Sequence, residues 1–195
     1  PTLVNYQTIF SDPHVPLGRF YMNSIIVSVS VVVLELFTAS LAGFIFAKYR
    51  FFGKNAVFSF ILATMMIPFQ VLMIPSYLVL AKLKLIDSLW GLIVPVAVDA
   101  FGIFMMKQFI EGLPSELMDA GRIDGASEWG IYWRIILPLS KPALITVAIF
   151  SFMAGWQAFL RPLIYRDDPD KHTLAIALAH FRPTSNSYGA NYLWS

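Results

Sequence analysis

Two stretches decide what this chain can fold into. Ile25 to Ala47 is apolar with Glu35 as its only charge, and Ala56 to about Ala81 carries no charge at all. Each is long enough to cross the hydrocarbon core of a bilayer, which takes about 20 residues of helix. Two further runs follow, about Leu89 to Met106 with Asp99 inside, and Pro142 to about Leu160. Lipid offers no partner for backbone N–H and C=O groups, so runs of this length are expected to be helices. The fold expected is an all-α polytopic membrane protein with about four complete spans. Composition agrees: 57% of residues are hydrophobic and 13% charged, where a soluble domain carries about 25% charged, and the mean hydropathy is +0.66.

The segments between the runs set the topology. Pro1 to Phe20, with Pro13, Pro16 and Gly18, reads as a loop or short surface helices outside the membrane. Lys48-Tyr-Arg-Phe-Phe-Gly-Lys-Asn55 is a tight basic turn, Lys82 to Ser88 a short connection, and Arg161 to Gly189 a polar loop. Four spans place Pro1 and that last loop on one side. Lysine and arginine counts in short loops normally give the orientation, but here the 14 basic residues divide evenly. Lys48, Arg50, Lys54, Lys107, Arg122, Arg134 and Lys141 fall on one side, and Arg19, Lys82, Lys84, Arg161, Arg166, Lys171 and Arg182 on the other. The density of charge in Lys48–Lys54 favours that turn as cytoplasmic. A net charge of +2 points to no nucleic-acid partner. With no cysteine, disulfides and thiolate metal sites are excluded, and His14, His172 and His180 have no ligand spacing with carboxylates, so no metal site is expected. The chain starts at Pro1 and stops at Trp194-Ser195, and it reads as a fragment of a longer protein.

One long interval is both charged and helix-patterned, Glu116 to Pro138. Ser115 can cap a first short helix with Glu116 and Asp119 in its first turn, where carboxylates suit the dipole. Gly125 is placed to end it in the left-handed conformation. Ser127 can cap a second helix carrying Trp129, Tyr132, Trp133 and Ile136 on one face, with Pro138 stopping it. Such an elbow between spans is expected to present a rigid handle to something in the cytoplasm.

Candidate chemistry is sparse. Glu35 and Asp99 are intramembrane carboxylates, and a charge at mid-span costs roughly 2.5–3.5 kcal/mol on insertion scales. They could form a proton or cation relay, or Glu35 could pair with a neighbouring span while Asp99 sits in the interior or shallowly in its helix. No intramembrane lysine, arginine or histidine accompanies them, which weighs against a relay. Asp99 could also line a polar solute path. Pro68 and Pro75 kink the second run, and Gln70 between them could face such a path or bond another helix. Trp156 and Gln157 could stack on and hydrogen-bond a sugar, or belong to an interfacial aromatic belt. No nucleophile elbow, phosphate-binding glycine loop or zinc motif is present.

The spacing in the elbow resembles the inner-membrane permease subunits of binding-protein-dependent ABC importers. Their pattern is Glu-Ala-Ala, three residues, Gly, nine residues, Ile-x-Leu-Pro. Here Asp119-Ala120-Gly121 fills the first slot, Gly125 the second, and Ile135 with Leu137-Pro138 the last. Further words are similar to the carbohydrate-uptake branch, of the second permease subunit of maltose-type transporters: Asn23-Ser24-Ile25, Ala63-Thr-Met-Met-Ile-Pro68, Gln70-Val71, Ile74-Pro75, Phe101-Gly-Ile-Phe104, Arg122-Ile-Asp-Gly-Ala-Ser127 and Leu137-Pro-Leu-Ser-Lys-Pro-Ala143. The likeness covers essentially the whole chain.

The resemblance implies an ABC importer transmembrane domain, a MetI-like helix bundle, filling residues 1–195 as a single domain that lacks the first span and most of the last. Residues 111–141 would be its cytoplasmic coupling elbow. Coupling to the ATPase would fall on Glu116, Asp119, Ala120, Gly121, Arg122, Asp124, Gly125, Leu137 and Pro138, with Trp129, Tyr132 and Trp133 anchoring the elbow to the core. A substrate path would involve Gln70, Asp99, Trp156 and Gln157. It implies no enzyme activity and no cofactor in this chain, with ATP and Mg on partner ABC ATPase subunits. The other partners implied are a second permease subunit, an extracytoplasmic solute-binding protein touching Arg161–Gly189, a sugar or oligosaccharide, and membrane lipid of a bacterial or archaeal cytoplasmic (inner) membrane. Other cargoes (a polyamine, phosphate, an amino acid) are the alternative within the family. An ion-coupled secondary transporter using Glu35 and Asp99, a membrane hydrolase and a purely structural subunit are the alternatives outside it. The chain departs from the family pattern at several positions: Asp119 replaces the usual glutamate, keeping the charge at a shorter reach, and Arg161 replaces the usual aromatic. Gly121 replaces the usual alanine at a cost of roughly 1 kcal/mol to the helix, so looser or shifted docking is expected. Trp156-Gln-Ala-Phe-Leu160 lacks the usual acid.

Overall fold

The computed structural model describes residues 17–166, 168 and 171–180. All regular structure among them is helical. The elements are α1 (Leu17–Lys48), α2 (Lys54–Thr64), α3 (Phe69–Lys82), α4 (Leu89–Ile93, continued by a 3-10 turn Val94–Val96), α5 (Ala100–Glu111), α6 (Glu116–Ile123), α7 (Glu128–Leu139), α8 (Lys141–Trp156), α9 (Leu160–Tyr165) and α10 (Leu174–His180). Among the described residues only α1 is by itself long and apolar enough to cross a membrane. Three pairs, α2 with α3, α4 with α5, and α7 with α8, reach that length together, each bent by more than 40° at a break of no more than 4 residues. Counting each bent pair as one span brings the number to four. Apolar side chains such as Val33, Phe60, Met66 and Val71 are exposed, the pattern of a surface that meets lipid.

Several boundaries differ from expectation. The first helix starts at Leu17, so Leu17–Phe20 belongs to it and not to the outer loop. The second run is no single kinked helix. It breaks at Met65–Pro68, where the Met65, Met66 and Ile67 amides each bond a carbonyl three residues back and proline supplies no amide. Pro75 then sits inside α3. The third run breaks between Val96 and Ala100, so Asp99 heads a helix instead of lying within one. Arg161–Gly189 contains most of α9 and all of α10, with Asp167, Pro169, Asp170 and the part after His180 outside the described residues.

The chain forms two compact units. One takes the described residues of Pro1–Val29, Met73–Ile93 and Met153–Ser195, and the other Ser30–Leu72 and Val94–Phe152. In the first, Ser24 Oγ accepts the Leu174 amide at 2.8 Å, and Asn23 Nδ2 donates to the His172 carbonyl at 3.1 Å. The Asp87 amide donates to the Tyr165 carbonyl at 3.0 Å, and Asp87 Oδ1 accepts the Asp168 amide at 3.2 Å. The connection after α3 is thus tied to the loop around α9. In the second unit, Ala39, Phe44, Ile103, Met106, Ile110, Met118, Ile131, Tyr132, Ile136 and Val147 form a continuous buried core. Helices α1 and α5 cross closely there. A Cβ on Gly43 would lie 2.6 Å from Met106 Cβ and 2.9 Å from the Lys107 amide nitrogen, so glycine sets the crossing distance.

Candidate coupling site

The elbow lies wholly in the second unit, and its corner is closed by backbone hydrogen bonds. Asp124 ends α6, Gly125 follows with φ +80°, its amide donates to the Arg122 carbonyl at 3.0 Å, and the Ala126 amide donates to the Gly121 carbonyl at 2.9 Å. These are the two bonds of a Schellman closure, which requires the left-handed residue that glycine provides. Ser127 then caps α7, its Oγ accepting the Gly130 amide at 3.1 Å. Ser115 does not cap α6 with its side chain. Its backbone is already helical (φ −70°, ψ −24°), and its carbonyl accepts the Met118 and Asp119 amides.

Pro138 does not stop the second helix. Proline has no amide hydrogen and its ring would clash with the carbonyl four residues back. The helix answers by widening: Tyr132–Ile136 is a π turn in which the Leu137 amide donates to the Tyr132 carbonyl, and helical structure continues to Leu139 before Ser140 breaks it. Within this turn Tyr132 and Ile136 are buried. Trp129 and Trp133 are not the core anchors expected, since each is more than half exposed and meets the Tyr132 ring edge-on at 5.7 and 5.2 Å. The anchor is Tyr132. Its hydroxyl shares a 2.7 Å bond with Ser40 Oγ, which donates to the Leu36 carbonyl at 2.6 Å, fastening the elbow to α1.

α6 has two faces. Met118 and Gly121 are buried, while Glu116, Leu117, Asp119, Ala120, Arg122, Ile123 and Asp124 are exposed, Ile123 to 86%. Gly121 has a packing role. A Cβ there would stand 2.8 Å from Ile135 Cδ1 and 3.3 Å from Ile131 Cγ1, so the absent methyl lets the two elbow helices close on each other. Leu137 is half-buried beside the core and Pro138 is exposed. A charged bridge lies beside the corner. Arg122 Nε donates to Glu128 Oε1 at 2.9 Å and Nη1 to Asp119 Oδ1 at 3.0 Å, and the Tyr49 hydroxyl donates to Glu128 Oε2. Donation first from Arg122 and then from Tyr49 holds the Glu128 carboxyl below its ordinary range. Burial, reinforced by Glu128, pushes the Tyr49 phenol up to about 12. Lys48 Nζ donates to the Leu113 carbonyl, so the basic turn and the elbow meet directly.

The residues expected to line a substrate path are placed as follows. Asp99 caps α5, its Oδ2 accepting the Gly102 amide at 3.1 Å, and Gln70 is exposed in the same unit. Trp156, in the other unit, is half-buried with its ring edge-on to Tyr21 at 5.4 Å, and Gln157 is exposed. Among the described residues no group of histidine and carboxylate side chains could hold a metal ion. Sequence reading missed Ile123 on the outer face of α6, and it missed Tyr49 and Glu128, which bond each other beside the corner and not on that face. Ile123 was visible as an apolar residue on a charged helix, but Tyr49 and Glu128 are 79 residues apart and no periodicity connects them.

Comparison with known proteins identifies the family. The chain is 39% identical over 191 residues to the arabinooligosaccharides transport system permease protein AraQ of Halalkalibacterium halodurans, covering 98% of this chain and 67% of that one. It is 33% identical to the sn-glycerol-3-phosphate transport system permease protein UgpE of Yersinia enterocolitica, covering 92% of this chain and 63% of that one. A crystal structure of a bacterial ABC transporter involved in the import of the acidic polysaccharide alginate contains a chain that superposes with a TM-score of 0.85 at 26% identity, over 95% of this chain and 66% of that one. The chain therefore spans about two thirds of the length of these relatives. Residues 39–178, which include the entire elbow, match a family described as binding-protein-dependent transport system inner membrane component. The chain belongs to that family of inner-membrane transport components.

Proposed function

We propose that this chain is a permease subunit of an ATP-driven importer and that α6 is the helix through which a partner ATPase moves it. The observation that carries this reading is the two-faced elbow. Its inner face is locked to the core through Met118 and Gly121, and its outer face offers Leu117, Ala120, Ile123 and the carboxylates of Glu116, Asp119 and Asp124. A rigid helix with a free outer face transmits displacement, and its residues include no nucleophile–base pair. ATP and Mg belong to the ATPase subunits. A second permease subunit completes the pathway, a solute-binding protein delivers cargo on the side of α9 and α10, and the assembly sits in the cytoplasmic membrane of a bacterium or archaeon. In this reading residues 1–195 work as one transmembrane domain, residues 111–141 are cytoplasmic, and Gln70, Asp99, Trp156 and Gln157 are the candidates for the solute path.

The cargo proposed is an oligosaccharide, supported by relatives named for arabinooligosaccharides and alginate. The relative named for sn-glycerol-3-phosphate makes a phosphorylated polyol the second reading. Stimulation of the assembled complex's ATPase by arabinotriose, alginate oligomers or glycerol-3-phosphate separates them. The coupling role is tested by Gly125→Pro. Proline fixes φ near −65° and removes the amide that closes the corner, where the chain needs φ +80°. The expected result is ATP hydrolysis that continues without solute uptake, and uptake at the parental rate would refute the elbow's role.

A further inference from the structure

The elbow's outer charges have a partner inside the chain. Tyr49 directly follows α1, and its amide donates to the Ile45 carbonyl at 3.1 Å, so its backbone extends the helical ladder. Its ring is held edge-on by Phe44 at 5.3 Å, and its carbonyl accepts Lys54 Nζ at 3.0 Å. From this fixed position the phenol donates to Glu128, in the first turn of α7, and Glu128 accepts Nε and Nη2 of Arg122, on α6, at 2.9 and 3.3 Å. Arg122 also holds Asp119. One chain of side-chain bonds thus joins the end of α1 to both helices of the elbow.

We propose that Tyr49, Glu128 and Arg122 form a bridge that makes the elbow and the inner end of α1 move as one body, with Tyr49 and Glu128 as positioning residues for force delivered by the ATPase. The proposal rests on the permease reading above. The ion pairs are half-exposed, and such pairs contribute little to stability. What they supply is geometry: a carboxylate held by a guanidinium on one side and a phenol on the other has little freedom to turn. The phenol, pushed up to about 12, stays protonated and remains a donor throughout the physiological range. The buried Tyr132–Ser40 bond fastens α7 to α1 nearer the core, so loss of the outer bridge should loosen the corner without unfolding the chain.

Residues 1–195 hold no cysteine, so the test uses the permease assembled with its ATPase after any cysteine outside these residues has been replaced by serine. Spin labels are placed through Ile45→Cys on α1 and Arg134→Cys on α7, both exposed and both off the outer face of α6, and their separation is read by pulsed electron paramagnetic resonance with and without ATP. A single narrow distance unchanged by ATP is expected. Tyr49→Phe and Glu128→Gln should each broaden it, and the double variant no more than either alone. In proteoliposomes, arabinotriose uptake per ATP hydrolysed should fall about threefold in each variant, the scale of a charged hydrogen bond discounted for exposure, while the hydrolysis rate is kept. An unchanged distance distribution, an unchanged uptake ratio, or a parallel fall of uptake and hydrolysis would each overturn the proposal. A parental complex that stimulates no ATPase and imports none of the three solutes would instead overturn the permease reading, with the distance measurement still reporting on the bridge.

Discussion

Asp99 stands at the head of α5 with extended backbone angles (φ −114°, ψ 133°), and its Oδ2 accepts the Gly102 amide. The first amides of a helix have no partner within it, and a side-chain oxygen at this position supplies one. A carboxylate inside an apolar run therefore has a structural use that requires neither proton transfer nor solute. Asparagine caps as well as aspartate, whereas alanine cannot accept the bond. Asp99→Asn should leave unfolding of the detergent-solubilised protein unchanged, and Asp99→Ala should cost about 1 kcal/mol, followed by helical circular dichroism during heating. Equal stability of the two variants would remove the cap from the account. An Asp99→Asn variant that keeps its stability and loses uptake would assign the charge to the solute path. The sequence made the carboxylate conspicuous but hid its role, because an unbroken apolar run from Leu89 to Met106 conceals the interruption at Val96–Ala100. Gly121 was read only in part, for a similar reason. Helix propensity registered only its cost, while its contact with Ile131 and Ile135 exists only once the elbow has folded.

At the scale of helices, glycine governs two close approaches of different stiffness. At Gly43 an added methyl would meet the Lys107 amide nitrogen at 2.9 Å and the Met106 carbonyl carbon at 3.0 Å, backbone atoms that move only with α5 as a whole. At Gly121 the nearest atom is the tip of the Ile135 side chain, which can change rotamer, and alanine also returns roughly 1 kcal/mol of helix propensity. Gly43→Ala should therefore destabilise by about 1–3 kcal/mol, and Gly121→Ala should lie close to neutral, as measured by thermal unfolding of the two variants side by side. A reversed order would mean that the α1–α5 crossing yields more readily than the elbow. The four apolar runs were legible as helices because continuous apolar stretches of about 20 residues can satisfy their own backbones in lipid only as helices. Their breaks were less so: Pro68 announced a kink, but whether a proline bends, breaks or widens a helix depends on neighbours. Pro75 stays inside α3 and Pro138 sits just after a π turn.

For the whole molecule, a contact joins the basic turn to the elbow, and neither it nor a charge sum fixes the side on which they lie. Seven basic residues against seven left orientation to the density of one turn. The bonds from Lys48 to Leu113 and from Tyr49 to Glu128 then place that turn and the elbow together, whichever side they face. If α2 with α3 makes one span, the connection after α3 must open on the opposite side. Single cysteines in this cysteine-free chain can read the arrangement directly. Phe52, Ile123 and Leu83 are exposed to 105%, 86% and 60%, so each accepts a label without disturbing a packed residue. With a membrane-impermeant maleimide, Phe52→Cys and Ile123→Cys should react in inverted vesicles and be protected in right-side-out ones, and Leu83→Cys should do the reverse. Reaction of Phe52→Cys and Ile123→Cys from opposite sides would contradict the bonded contact between turn and elbow. Reaction of all three from one side would mean that the break at Met65–Pro68 turns α3 back, making α2 and α3 a re-entrant pair. The Leu83→Cys result therefore decides whether α2 and α3, set at 100° to each other, make one crossing of the bilayer or turn back within it.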